Sequence, residues 1–116
     1  MDDSQFGDVG TKLMFENDLI RVWNFELSPG ESIGWHRHNS NYCYVVTQAG
    51  RLKGEHDEAE DDILELSVGE VVMGKKGATH NHTNIGDENY SNIVIEIKKN
   101  KMFLNEERSN NEQPLE

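Results

Sequence analysis

The chain predicts an all-β fold, a single sandwich or barrel of short strands. Three observations carry that expectation. Hydrophobic residues alternate with period two in stretch after stretch, helical periodicity is hard to find, and turn residues separate the stretches. The length of 116 residues suits one domain with one core.

Taken in order, "IRVWNFEL" (20–27) places Trp23, Phe25 and Leu27 on one face and Ile20 and Val22 on the other. "YCYVVTQ" (42–48), "RLKGEH" (51–56), "DILELSV" (62–68) and "EVVMG" (70–74) also read as strands. In "NIVIEIK" (92–98), Ile93, Ile95 and Ile97 alternate with Val94, Glu96 and Lys98. Turn signals stand at Pro29-Gly30, Ala49-Gly50, Val68-Gly69, Lys76-Gly77 and Gly86-Asp87. The acidic run "DEAEDD" (57–62) reads as a solvated loop, with a cation site as the alternative. The expected plan is an N-terminal segment over 1–18, a barrel over 19–99 and a polar tail over 100–116. Met102, Phe103 and Leu104 in that tail are candidates to dock on the barrel or on a second subunit.

Asp and Glu number 22 against 11 Lys and Arg, a formal net charge of −11. That balance argues against nucleic acid or an anionic membrane as partner, because both need a basic patch. It suits a neutral or cationic small molecule. No apolar run approaches a membrane span, and Met1-Asp2-Asp3-Ser4 has none of the basic and apolar character of a signal peptide. A single cysteine cannot form an internal disulfide, so the expected compartment is the reducing cytoplasm.

Five histidines carry the chemistry: the pairs His36/His38 and His80/His82, and the lone His56. Residues two apart on a strand point to the same side, so each pair can aim two imidazoles at one point. Two such strands inside a barrel would supply up to four nitrogen ligands, and imidazole suits zinc, copper, iron and nickel. A His-x-His on a surface strand is otherwise merely polar. The second pair in so short a chain weighs towards a metal site.

The arrangement resembles the cupin family of small jelly-roll β-barrels. Its first motif is Gly, five residues, His-x-His, three or four residues, Glu, six residues, Gly. Here Gly30 is followed by five residues, His36-Arg37-His38, four residues, Cys43, six residues and Gly50. Cys43 then takes the glutamate's place. The second motif is Gly, five residues, Pro-x-Gly, two residues, His, three residues, Asn. Gly69, Lys75-Lys76-Gly77, His80 and Asn84 match it, with Lys75 replacing the proline.

The resemblance implies a single cupin-type jelly-roll barrel with His36, His38 and His80 binding a divalent transition metal such as Fe, Zn, Ni or Mn. His82 or Cys43 is the candidate fourth ligand. Cysteine in the glutamate's place resembles the thiol dioxygenases. On this expectation Cys43 stands near the metal but unbound. Its bland alternative is a cysteine that simply fills space. Tyr44 and Glu96 are the candidate acid–base groups, with Tyr42 and Gln48 as further hydrogen-bonding side chains, although Glu96 reads more simply as a surface charge. Trp35 is expected to face away from the histidines, Arg37 to point outward into a salt bridge, and Asn84 to serve the turn that follows it. Two functions fit: a metal-dependent enzyme of oxygenase or isomerase/lyase type on a small organic molecule, or a non-catalytic metal- or ligand-binding module. Small cupins are often dimers, so the resemblance also implies a homodimer.

Overall fold

The computed structural model describes residues 6–98. Nine strands follow one another: β1 (Lys12–Glu16), β2 (Ile20–Leu27), β3 (His36–Arg37), β4 (Asn41–Gln48), β5 (Gly50–His56), β6 (Asp62–Leu66), β7 (Val71–Gly74), β8 (Thr79–Asn84) and β9 (Tyr90–Ile97). They form a five-stranded sheet in the order β1-β2-β9-β4-β7 and a four-stranded sheet in the order β3-β8-β5-β6. Every pairing is antiparallel. This is the expected all-β jelly roll.

Alternation decides which residues build the core. Trp23, Phe25 and Leu27 of β2, Tyr42 and Val46 of β4, and Tyr90 and Val94 of β9 are buried, and Leu52 and Leu66 meet them from the other sheet. Inner rows run straight across the five-stranded sheet: Arg21–Glu96–Tyr42–Gly74, then Trp23–Val94–Tyr44–Val72, then Phe25–Asn92–Val46. The outer face carries the odd partners. One row reads Phe15–Val22–Ile95–Cys43–Met73, and the next reads Lys12–Asn24–Ile93–Val45–Val71.

The sequence reading placed the start of the barrel at residue 19, which leaves β1 out. The structure puts β1 on the sheet edge against β2, and Val9 before it in the core. Leu13-Met14-Phe15 is a continuous apolar run, interrupted by an irregularity in register, so it shows no alternation to read. The expected tail over 100–116, with Met102, Phe103 and Leu104, lies outside the described residues.

The turn before β8 fixes where that strand begins. Gly77 has φ +96°, a conformation that side-chain-bearing residues avoid. Its N–H donates to the His38 carbonyl at 2.7 Å, and the His38 N–H donates to the Ala78 carbonyl at 2.9 Å. The backbone after β3 is thereby locked beside the start of β8.

Candidate metal centre

Register brings the two histidine pairs together. His36 lies directly opposite His80 across the β3–β8 pair, and His56 lies opposite His80 on the other side. His36, His38 and His80 are all buried, and each offers a ring nitrogen within 4.8 Å of the others'. Their rings meet edge to face, with centroids 4.6–5.1 Å apart. The motif ligands expected from the sequence are thus assembled at one point.

The donor set fits a metal ion. The His36 Nδ1–H donates to the Gly34 carbonyl at 2.9 Å, which leaves its Nε2 lone pair free. Gly34 can offer that carbonyl because it has φ +99° and its N–H is held by Asn81 Oδ1 at 2.9 Å. The His38 and His80 Nε2 atoms are 3.2 Å apart. At a metal–nitrogen distance of about 2.1 Å, two ligands at 90–109° stand roughly 3.0–3.4 Å apart. The observed separation falls within that range.

Electrostatics agree. Burial, and then the neighbouring imidazoles, push His38 down to about 3 and His80 down to about 2. Burial also lowers His36. These rings are neutral at pH 7, the form that binds metal.

The cavity in front of them lies between the two sheets. His36, His38, His80 and His82 line it from one side, with Leu52; Phe25, Tyr42, Tyr44, Asn92 and Val94 line it from the other. Its enclosed volume is about 20 Å³, room for about one water-sized group in front of the histidines.

His82 shares the inward face of β8. Its ring centroid is 4.6 Å from that of His80 and 6.5 Å from that of His36. It stands beside the three-histidine cluster rather than within it, and burial holds it neutral, down to about 4.

Tyr44 reaches the cavity, as expected, and burial holds its hydroxyl protonated well above the ordinary phenol range. The pocket thus receives a hydrogen-bond donor.

Two expectations are corrected. Cys43 is paired with Ile95 and Met73 on the outer face of the five-stranded sheet, away from the cavity. It neither ligates nor adjoins the metal position, because its neighbours Tyr42 and Tyr44 take the inward positions of the pleat. Glu96 is neither an acid–base group of the cavity nor a surface charge. It is buried on the inner face, accepts a hydrogen bond from the Trp23 Nε1–H at 2.7 Å, and faces Arg21 at 3.7 Å. The indole and guanidinium use the carboxylate structurally at the end of the barrel.

Asn84 falls as read. Asn84 is fully buried and its amide donates to the Leu27 and Glu88 carbonyls while accepting from the Gly86 N–H, so it builds the turn. Arg37 contacts the Thr79 hydroxyl and lies over the Phe6 ring. Asp62, at the end of the acidic run, is hydrogen-bonded to His56 at 3.1 Å.

One pocket residue went unread in the sequence. Asn92 donates to the Tyr90 hydroxyl, but its buried Oδ1 has no hydrogen-bond partner and is an acceptor available beside the cavity. Its signal was a polar residue sharing a strand face with Tyr90 and Val94.

The cupin domain family model matches residues 23–96. No curated protein matches the chain. Among solved structures, it is similar to a cupin domain from Bordetella pertussis Tohama I, with 28% identity and a TM-score of 0.70, covering 80% of this chain and 100% of that one. An RmlC-like cupin with a double-stranded β-helix fold from Methanocaldococcus jannaschii shares the fold at 15% identity and a TM-score of 0.65, covering 75% of this chain and 77% of its own. A cupin 2 conserved barrel protein from Salinispora arenicola does so at 20% identity and a TM-score of 0.56, covering 84% and 90%. With both motifs, the jelly roll and a family match over most of its length, the chain belongs to the cupin domain family.

Proposed function

We propose that the protein is a metal-dependent cupin enzyme acting on a small organic molecule, of oxygenase or isomerase/lyase type. The observation that carries this reading is the convergence of three buried, neutral imidazoles at the wall of an inter-sheet cavity. His36, His38 and His80 would hold a divalent transition metal such as Fe, Zn, Ni or Mn. When bound, that ion supplies Lewis-acid polarisation of a substrate oxygen, an activated water or, if it is iron, dioxygen chemistry. The chain's own groups do the rest. The Tyr44 hydroxyl donates a hydrogen bond to substrate. The His82 imidazole is neutral and lines the cavity, so it offers substrate a hydrogen-bonding ring nitrogen. Phe25, Leu52 and Val94 keep the inner wall apolar.

The second reading is a metal- or ligand-binding module without turnover. It is favoured by the absence of a carboxylate among the described residues lining the cavity. The net charge of −11 supports a small molecule rather than nucleic acid or an anionic membrane as partner. Among the described residues no helix is long and apolar enough to cross a membrane, and the lone cysteine suits a reducing cytoplasm.

Metal analysis of the tag-free protein beside His36→Ala tests the site. Near-stoichiometric metal in the wild type and its loss in the variant are expected, and the metal's identity then selects the activity assay. Background metal in both after reconstitution sinks the proposal. Turnover that falls at least tenfold in Tyr44→Phe while metal content holds would support the enzyme over the binding module.

We also propose that a second copy covers the outer face of the five-stranded sheet. Two rows without acidic residues cross that face, one of them ending at Lys12, with Met73 70% exposed and Val71 58% exposed. Five strands about 4.8 Å apart span roughly 19 Å. The rows run the width of the sheet from the exposed edge strand β1 to β7. A two-fold pairing also lets two acidic chains meet along rows that hold no acidic side chain. Sedimentation should report a dimer, and Met73→Asp should shift it to monomer; a monomeric wild type at micromolar concentration refutes this.

A further inference from the structure

Resting on the metal reading of the histidines, we infer that Tyr42, not Cys43, stands where the motif carboxylate would be, and that it is a positioning residue for His38. Three residues separate His38 from Tyr42, one of the two gaps the motif allows, and seven rather than six then precede Gly50, on a strand whose register shifts between Val46 and Gln48. Parity of the β4 pleat sends Tyr42 inward, to the cavity it shares with the three histidines, and Cys43 outward.

The two histidines of β3 and its continuation are held by different means. His36 has the usual outer partner of a metal-binding imidazole, the Gly34 carbonyl. His38 has none: its buried Nδ1 lacks a hydrogen-bond partner. The phenol of Tyr42 lies flat on its ring instead, with centroids 3.6 Å apart and planes 12° from parallel. Stacking therefore fixes the His38 plane where a hydrogen bond would ordinarily do so.

Gly74 makes the stack possible. A Cβ built there would overlap the ring and hydroxyl oxygen of Tyr42, so the phenol's far end rests in space that only glycine leaves on β7. The tyrosine is 6% exposed, and its hydroxyl end rests against Gly74. It stacks on His38 where a carboxylate would bring an oxygen donor and a negative charge.

The test is Co²⁺ titration of the full chain, read by affinity and by the visible absorption of the bound ion, with circular dichroism and thermal melts as controls for folding. Tyr42→Phe keeps the stack and should bind within about twofold of wild type. Tyr42→Leu removes the aromatic plane at similar bulk and should bind at least tenfold more weakly. Gly74→Ala, which displaces the phenol, should weaken binding in the same direction. Tyr42→Glu should bind more tightly and change the Co²⁺ spectrum as an oxygen donor joins. Where Tyr42→Leu does not fold, Gly74→Ala and the Phe-against-Glu comparison decide. Wild-type affinity in both Tyr42→Leu and Gly74→Ala, or a loss in Tyr42→Phe equal to that in Tyr42→Leu, overturns the positioning role alone. A wild type that binds no Co²⁺ removes the metal reading and this inference together.

Discussion

The buried histidines should make the metal-free protein markedly less stable in mild acid. His38, His80 and His82 are held at about 3, 2 and 4 in the folded chain, chiefly by burial. In the unfolded chain each returns to about 6.5. Between those values the unfolded state binds more protons than the native one, so stability falls as pH falls. The stability is fully present above about pH 6.5 and drains away below it. At pH 5.5 each ring costs about RT ln 11, or ~1.4 kcal/mol, and at pH 7.5 almost nothing. Three rings together give ~4 kcal/mol, a large part of a typical domain's 5–15 kcal/mol.

Urea unfolding in chelator, followed by tryptophan fluorescence, measures this. With a slope of about 1–2 kcal/mol per molar, the midpoint should drop by about 2 M or more from pH 7.5 to 5.5. Relief of the net charge of −11 acts in the opposite direction, so the comparison is made with His80→Gln. That variant should lose about a third of the pH dependence. A midpoint unchanged or raised at pH 5.5, or a profile identical in His80→Gln, would falsify the claim that these imidazoles are buried and neutral.

Two further outcomes test the register. Cys43→Ala should leave metal stoichiometry unchanged and cost no more than about 1.5 kcal/mol, because the thiol is on the outer face; metal loss on elemental analysis would mean that β4 is pleated the other way. Asn84→Ala should cost roughly 2–4 kcal/mol, since the carbonyls of Leu27 and Glu88 and the Gly86 N–H lose their partner at a fully buried position. A fall in melting temperature of about 10 °C or more is expected, and one under 3 °C would show that water replaces the amide.

Much of the barrel was legible because a half-buried strand writes its two faces into alternate positions. Ile20–Leu27 was readable to the residue for that reason. β1 was not, since Leu13-Met14-Phe15 carries no period-two pattern and its place depends on β2. The histidine spacing likewise announced ligands, because two residues apart on a strand means the same side.

What spacing could not decide is parity and partnership. The motif allows a gap of three or four, and only the pairing of β4 with β7 and β9 sends Tyr42 inward and Cys43 outward. Glu96 read as a pocket group or a surface charge until Trp23, 73 residues away, proved to hold it. The sequence by itself determined most of the strands, the barrel and the histidines that cluster, which are properties of local pattern. The tertiary structure alone decided which side chains share an interior, because that follows from cross-strand register between segments far apart in the chain.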